Sequence, residues 1–341
     1  MLTFASSGTP LGINIPNYDD IRQDEGFKNV FLGNCIVKPT QINYIEPELA
    51  ENLIKFYEPN MFHKIIYHEL LGHGCGKLLQ ENKDGVKNFD PELINPITGQ
   101  KVATWYKSNE TWTEKFGKWN NPYEECRADS VALYFSCFPE ATEILQPEWS
   151  ANWKELMLAS FTEFVCAGIN GLEFYNTDAK KFSQAHINGR FVILQVLLEG
   201  GNGFITIEKT KKDDKDWISI KIDKEQCLTT GLNALKNFLL KLNVYKATAD
   251  YENGVKMYEG YSVVSPFFLE LRDIIITNKK PRRTELQGNI LEKDGELVYT
   301  TYSMTFEGII ESFKQRFNTI DNEMLRIWEE GNEYFRPLTK F

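Results

Sequence analysis

A chain of 341 residues can bury the core of one large domain or of two moderate ones, and a composition that is 42% hydrophobic, 25% charged and 13% aromatic excludes a disordered polypeptide. Its 38 Lys and Arg against 48 Asp and Glu leave a net charge of −10, so no global positive field exists to gather phosphates, and nucleic acid is not expected as a partner. Six scattered cysteines without CxxC pairs read as reduced thiols, and neither a secretory leader nor a run of ~18 apolar residues is present, which together lead to the expectation of a cytoplasmic protein with no membrane association.

Taken in chain order, residues 8–40 are rich in Gly, Pro, Asn and Asp and predict loops, with Ile13–Asn17 extended because the residue before Pro16 avoids the helical region. Helical spacing of Leu49, Leu53, Ile54 and Phe56 starts at Pro47, and Pro59 is expected to interrupt it before a second helical stretch from Asn60 to about His73. Residues 80–121 predict loops and short elements, and a helix follows from about Pro122 to Phe135. Further helices are predicted over about 150–175, 181–199 and 229–243, the second stopped by Gly200-Gly201. Phe204–Glu208 and Trp217–Ile222 alternate as a hairpin around the polar Lys209–Asp216, and the preceding Gly200–Gly203 lacks the following Lys-Ser/Thr of a phosphate loop and reads as a turn. The charge shifts abruptly at Lys279–Arg283; beyond it, Glu296–Ser303 reads as a strand and 306–331 as a helix.

Three of the four histidines fall within eleven positions, His63, His68 and His73. His68-Glu69-Leu70-Leu71-Gly72-His73 is like the zinc-hydrolase motif HExxH with one residue added. At ~100° per residue, histidines four apart lie ~40° apart on a helix and can share a metal, whereas five apart puts them ~140° apart. The added residue must be absorbed, and a π-helical turn does this. A catalytic zinc takes three protein ligands and keeps one position open, so a third ligand is needed beside His68 and His73. Glu125 is expected to supply it, from a segment in which Glu125 and Asp129 share one helical face. Asp129 and Glu124 are then candidates to accept the second N–H of each ligating imidazole, and Glu69 to take a proton from an activated water. Each piece alone has an ordinary reading, as a solvated helix face or an acidic first turn; their combination points to hydrolysis.

The segments Gly12–Asp20, Gly26–Val30, His68–Lys77, Glu124–Asp129, Gln184–His186, Arg190–Leu194 and Tyr258–Tyr261 together resemble the dipeptidyl-peptidase III family of zinc exopeptidases. The resemblance implies one zinc ion per chain held by His68, His73 and Glu125, Glu69 as general base and acid, and His186 as the group that stabilises the transition state. It implies substrate contacts from Asn14 and Asn17 to a peptide's free amino end, from Arg190 near the site, and from Arg282 and Arg283 to the peptide's carboxylate. From the residues alone, Arg190 would equally form a buried salt bridge and the Arg282-Arg283 run a solvated turn. The implied fold is α+β: a mainly helical zinc-peptidase lobe over 42–281 with a small β hairpin, and part of a second, mixed α/β lobe from 1–41 and 282–341. Asp129 stands where the family has Glu, and Cys75 where Ser is common. The family's long N-terminal region, which completes the second lobe, precedes the part this chain resembles. The expected activity is release of dipeptides from the N-terminus of short peptides. Its alternatives are a truncated zinc-binding chain that needs another polypeptide to complete the cleft, and a thermolysin-like endopeptidase.

Overall fold

The computed structural model describes residues 11–15, 19–279, 288–303, 305–316 and 322–335. Contacts divide the chain after Lys279 into two compact units. The first begins with strands β1 (Gly12–Ile15) and β2 (Lys28–Phe31), antiparallel around the short α1 (Asp19–Asp24). The sequence reading grouped residues 1–41 with the C-terminal segment; by contacts residues 11–41 cluster with the helical unit, where β1 lies against the histidine-bearing turn.

Helices α2 (Pro47–Lys55) and α3 (Tyr57–Ile66) meet at Phe56 rather than at Pro59. Pro59 sits in the first turn of α3, where a missing N–H has no helical partner to lose. The chain then enters a seven-residue π-helical turn, Tyr67–His73, the device expected to absorb the additional residue. The 80–121 excursion holds turns, a 3₁₀ turn at Gly117–Trp119 and the short α4 (Trp112–Phe116), capped by the Thr111 hydroxyl, which accepts from the Glu114 N–H. It is fastened inward by the fully buried Tyr106, whose hydroxyl donates to the Lys246 carbonyl at 2.8 Å.

The long helix α5 (Asn120–Phe135) follows, then α6 (Pro139–Leu145) and α7 (Trp153–Asn170). The two-residue strands β3 (Tyr175–Asn176) and β4 (Lys181–Phe182) pair before α8 (Ala185–Glu199). That pairing and a Gln184 cap on the Ile187 N–H explain why α8 starts four residues later than its apolar pattern suggested. Phe191 to Leu194, Val196 and Leu197 are all buried, so α8 is apolar on every side and forms the centre of the unit, packed on α5 and α7.

The hairpin is longer than expected. Its strands β5 (Ile205–Lys212) and β6 (Lys215–Ile222) take in nearly all of the polar stretch and leave Asp213 and Asp214, both at positive φ, as a two-residue turn. A second π-helical turn, Cys227–Gly231, leads into α9 (Leu232–Ala247). Two helices that the sequence reading did not foresee complete the unit, α10 (Tyr251–Ser262) and α11 (Pro266–Thr277).

The second unit contains the hairpin β7 (Asn289–Lys293) and β8 (Glu296–Thr300), with helices α12 (Phe306–Arg316) and α13 (Asn322–Phe335). Asn289 ties β7 to α12, donating to the Ser312 carbonyl and accepting from Arg316 Nε. The whole is mainly helical, with small antiparallel strand pairs, in keeping with the α+β class. Among the described residues no helix is long and apolar enough to cross a membrane.

Candidate metal centre

Three elements bring the predicted residues together: the π-helical turn carries His68, Glu69 and His73, α5 carries Glu124, Glu125 and Asp129, and α8 carries His186 and Arg190. The π turn and α5 touch because Gly72 lacks a side chain. A Cβ there would lie 2.7 Å from both Cα and Cβ of Ala128 on α5, closer than nonbonded carbons approach. Gly72 therefore permits the close approach of two backbones. Gly72→Ala is expected to cost about 1–3 kcal/mol in denaturant unfolding, the range for an overpacked core. An unchanged unfolding midpoint would refute this packing argument.

The donor atoms of His68, His73 and Glu125 all lie within 4.8 Å of one another. Glu125 Oε2 is 3.2 Å from His68 Nε2 and 3.5 Å from His73 Nε2. Metal–ligand bonds of about 2.1 Å in a tetrahedron place neighbouring donors about 3.4 Å apart, so these spacings suit one ion held by all three. The other ring nitrogens are committed elsewhere. His68 Nδ1 lies 2.8 Å from Asp129 Oδ1 and His73 Nδ1 lies 3.0 Å from Glu124 Oε1. Both carboxyls are held well below the ordinary range, Glu124 against its burial by Arg127 and Lys246, Asp129 against its burial by His68 and Arg190. Each is therefore an acceptor, each Nδ1 carries the proton, and each Nε2 is turned toward Glu125.

Glu125 Oε2 is buried and has no hydrogen-bond partner among the described residues. A buried carboxylate oxygen left in that state is costly unless a cation meets it. Without a cation the strain falls on the imidazoles: burial lowers the pKa of His68, but Asp129 and Glu125 overcome it and carry it up to about 10. The residues present thus fit a metal ion.

Around this trio, Glu69 is half-buried, and burial raises its pKa against the opposing pull of His68 and His73. Strand β1 passes directly over it. A Cβ on Gly12 would come within 2.6 Å of Glu69 Oε1 and 2.7 Å of Ile65 Cγ2, so a side chain there would push Glu69 and Ile65 aside. Asn14 is buried, its Nδ2 donating to Asn29 Oδ1 at 2.7 Å and to the Glu69 carbonyl at 3.3 Å, while its Oδ1 has no partner among the described residues. His186 comes from the far side with Nδ1 3.3 Å from Glu125 Oε2; that nitrogen too is buried without a hydrogen bond, and burial lowers its pKa. Arg190 Nε lies 3.4 Å from Asp129 Oδ2, an ion pair its spacing alone allowed. Asn17, Arg282 and Arg283 lie outside the described residues.

Spacing gave no role to Arg127, among the described residues the largest side chain with no exposure at all, or to Lys246, which reaches Glu124 Oε2 at 2.8 Å from α9. One signal was present: Arg127 follows Glu124 by three positions and so shares its helical face.

The model of peptidase family M49 matches residues 1–317. The chain belongs to peptidase family M49. Among M49 relatives, dipeptidyl peptidase 3 of Nematostella vectensis is 39% identical over 339 residues, covering 98% of this chain and 46% of the relative. Dipeptidyl peptidase 3 of Homo sapiens is 40% identical over 328 residues, covering 93% of this chain and 44% of the relative. The chain therefore spans less than half the length of these curated relatives. Its fold is similar to a solved structure of DPP III from Caldithrix abyssi, with a TM-score of 0.51 at 19% identity, covering 78% of this chain and 42% of that one.

Proposed function

We propose that the chain carries the catalytic groups of a zinc peptidase that releases dipeptides from the amino ends of short peptides. The single observation that carries this reading is Glu125 Oε2, buried without a hydrogen bond and facing the Nε2 atoms of His68 and His73 at 3.2 and 3.5 Å. Two imidazoles and one carboxylate are the donor set of hydrolytic zinc sites that keep one position open. When bound, zinc supplies Lewis acidity, polarising a carbonyl and lowering the pKa of a water to roughly 7.

The remaining work belongs to the chain's own side chains. Glu69, its pKa raised by burial, accepts the water's proton as the water attacks the scissile carbonyl carbon, and returns that proton to the leaving amine nitrogen as the C–N bond breaks. His186 faces the same space and stabilises the charge that develops on the carbonyl oxygen. Asn14 Oδ1, an unpaired acceptor on the strand that covers Glu69, suits the N–H groups of a free amino terminus. Asn17 is assigned to the same end of the substrate, and Arg190, Arg282 and Arg283 to its other polar groups.

A second reading is a zinc-binding chain that needs a further polypeptide to complete the cleft; the chain spans less than half the length of its curated relatives. One experiment separates the readings. Zinc content is measured beside hydrolysis of a dipeptidyl arylamide, its N-blocked counterpart and an internally cleavable peptide. One zinc per chain with release only from free amino ends is the expected result. Zinc without turnover supports the second reading, and cleavage of internal bonds overturns the exopeptidase assignment.

A further inference from the structure

We infer that Arg127 is the positioning residue of this site, a fork that fixes His73 through its ring and its main chain at once. The inference deepens the zinc reading and rests on it for its consequence, although its geometry does not. Arg127 Nε donates to Glu124 Oε2 at 2.9 Å and Nη2 to Oε1 at 2.6 Å, gripping from both sides the carboxylate that holds His73 Nδ1. Nη2 also donates to the carbonyl of Gly72, the residue before His73. Nη1 reaches Cys75 Sγ at 3.5 Å, just after His73, and Asn243 Oδ1 on α9 at 3.2 Å.

The need for such a clamp follows from where His73 lies. It closes a π-helical turn, so its ring is aimed by a backbone whose last carbonyls have no onward helical partner. A cation among those carbonyls is well placed against the helix dipole. Arg22 Nη1 meets the next carbonyl, that of His73. His68, the second residue of the turn and continuous with α3, needs no equivalent, and among the described residues the cation that pairs with its Asp129 partner is the more distant Arg190, Nε at 3.4 Å. The two ligating imidazoles are therefore held unequally, His73 by a fully buried bidentate fork and His68 by its own helix.

A lysine at 127 keeps the charge and the field at the metal but cannot span two carboxylate oxygens and a carbonyl together. Arg127→Lys thus isolates position from charge. The chain has four histidines, so a 15N-histidine spectrum can follow the Nδ1–H of His68 and His73 separately. In Arg127→Lys the His73 Nδ1–H is expected to shift or exchange away while that of His68 persists, and zinc affinity, by competition with a chelator, to fall about tenfold. A merely structural role for Arg127 would lower the melting temperature and disturb both histidines alike, which overturns the inference, as does an Arg127→Lys protein with unaltered His73 signal and affinity. If Arg127→Lys does not fold, Asn243→Ala decides: it releases Nη1 without removing charge, and a change confined to His73 supports the clamp while none refutes it. Should the unaltered protein bind no zinc, the proposed function fails, yet the His73 signal of the metal-free protein still reads the clamp.

Discussion

Replacing Glu69 by Gln is expected to lower kcat by roughly 10²–10⁴-fold, the usual contribution of a positioned acid–base group, with zinc content unchanged. The shape of the side chain is kept, so β1 still passes over it and Asn14 still donates to the main-chain carbonyl of residue 69. Only the ability to accept a proton is lost. Burial sets the direction of the Glu69 pKa upward, which brings the carboxyl nearer to neutral pH, where a base both is ionised and holds a proton firmly enough to pass it on. Steady-state kinetics on a dipeptidyl arylamide, in whichever assembly turns it over, checks this. A Gln variant with ordinary kcat removes Glu69 from the chemistry and leaves the metal trio untouched.

The convergence of His68, His73 and Glu125 was legible in the sequence because its constraint is local. Five-residue spacing between two histidines has few helical solutions, and the π turn at Tyr67–His73 is the one that turns both rings toward Glu125. Glu124, Glu125 and Asp129 could be paired with the histidines because neighbours on one helical face are read directly from spacing. What holds them was not legible. Gly72 and Asn243 lie 55 and 116 positions from Arg127, and Lys246 lies 122 from Glu124, so no window of sequence contains the clamp. Helix α10 escaped for a different reason. Its glycines and asparagine weaken helix propensity, and burial of Val255 and Tyr258 against the core overrides them. The inner half of the β5–β6 hairpin was legible, but its outer half was not, because that half is exposed on both faces, which removes the apolar alternation that marks a strand.

Glu125→Gln is expected to weaken zinc binding by more than the ~10–100-fold that follows loss of a ligand's hydrogen-bonding partner, because it removes a ligand's charge from the ion itself. The amide occupies nearly the same volume, so packing at position 125 is kept and what is lost is the charge that faces His68, His73 and His186. The negative charge is what draws His68 and His73 toward their protonated forms in the absence of metal, alongside Asp129 and Glu124. Removing it therefore lowers both imidazole pKa values and, by itself, eases metal entry by leaving fewer protons to displace. Loss of the carboxylate ligand outweighs that gain, because Asp129 and Glu124 stay in place and still draw the two imidazoles toward their protonated forms. Competition with a chelator across a pH series tests the balance: the variant should bind weakly at every pH and show a shallower rise of affinity with pH than the unaltered protein. Equal affinity in the two proteins would mean that the ion, if one binds, does not sit between these three side chains.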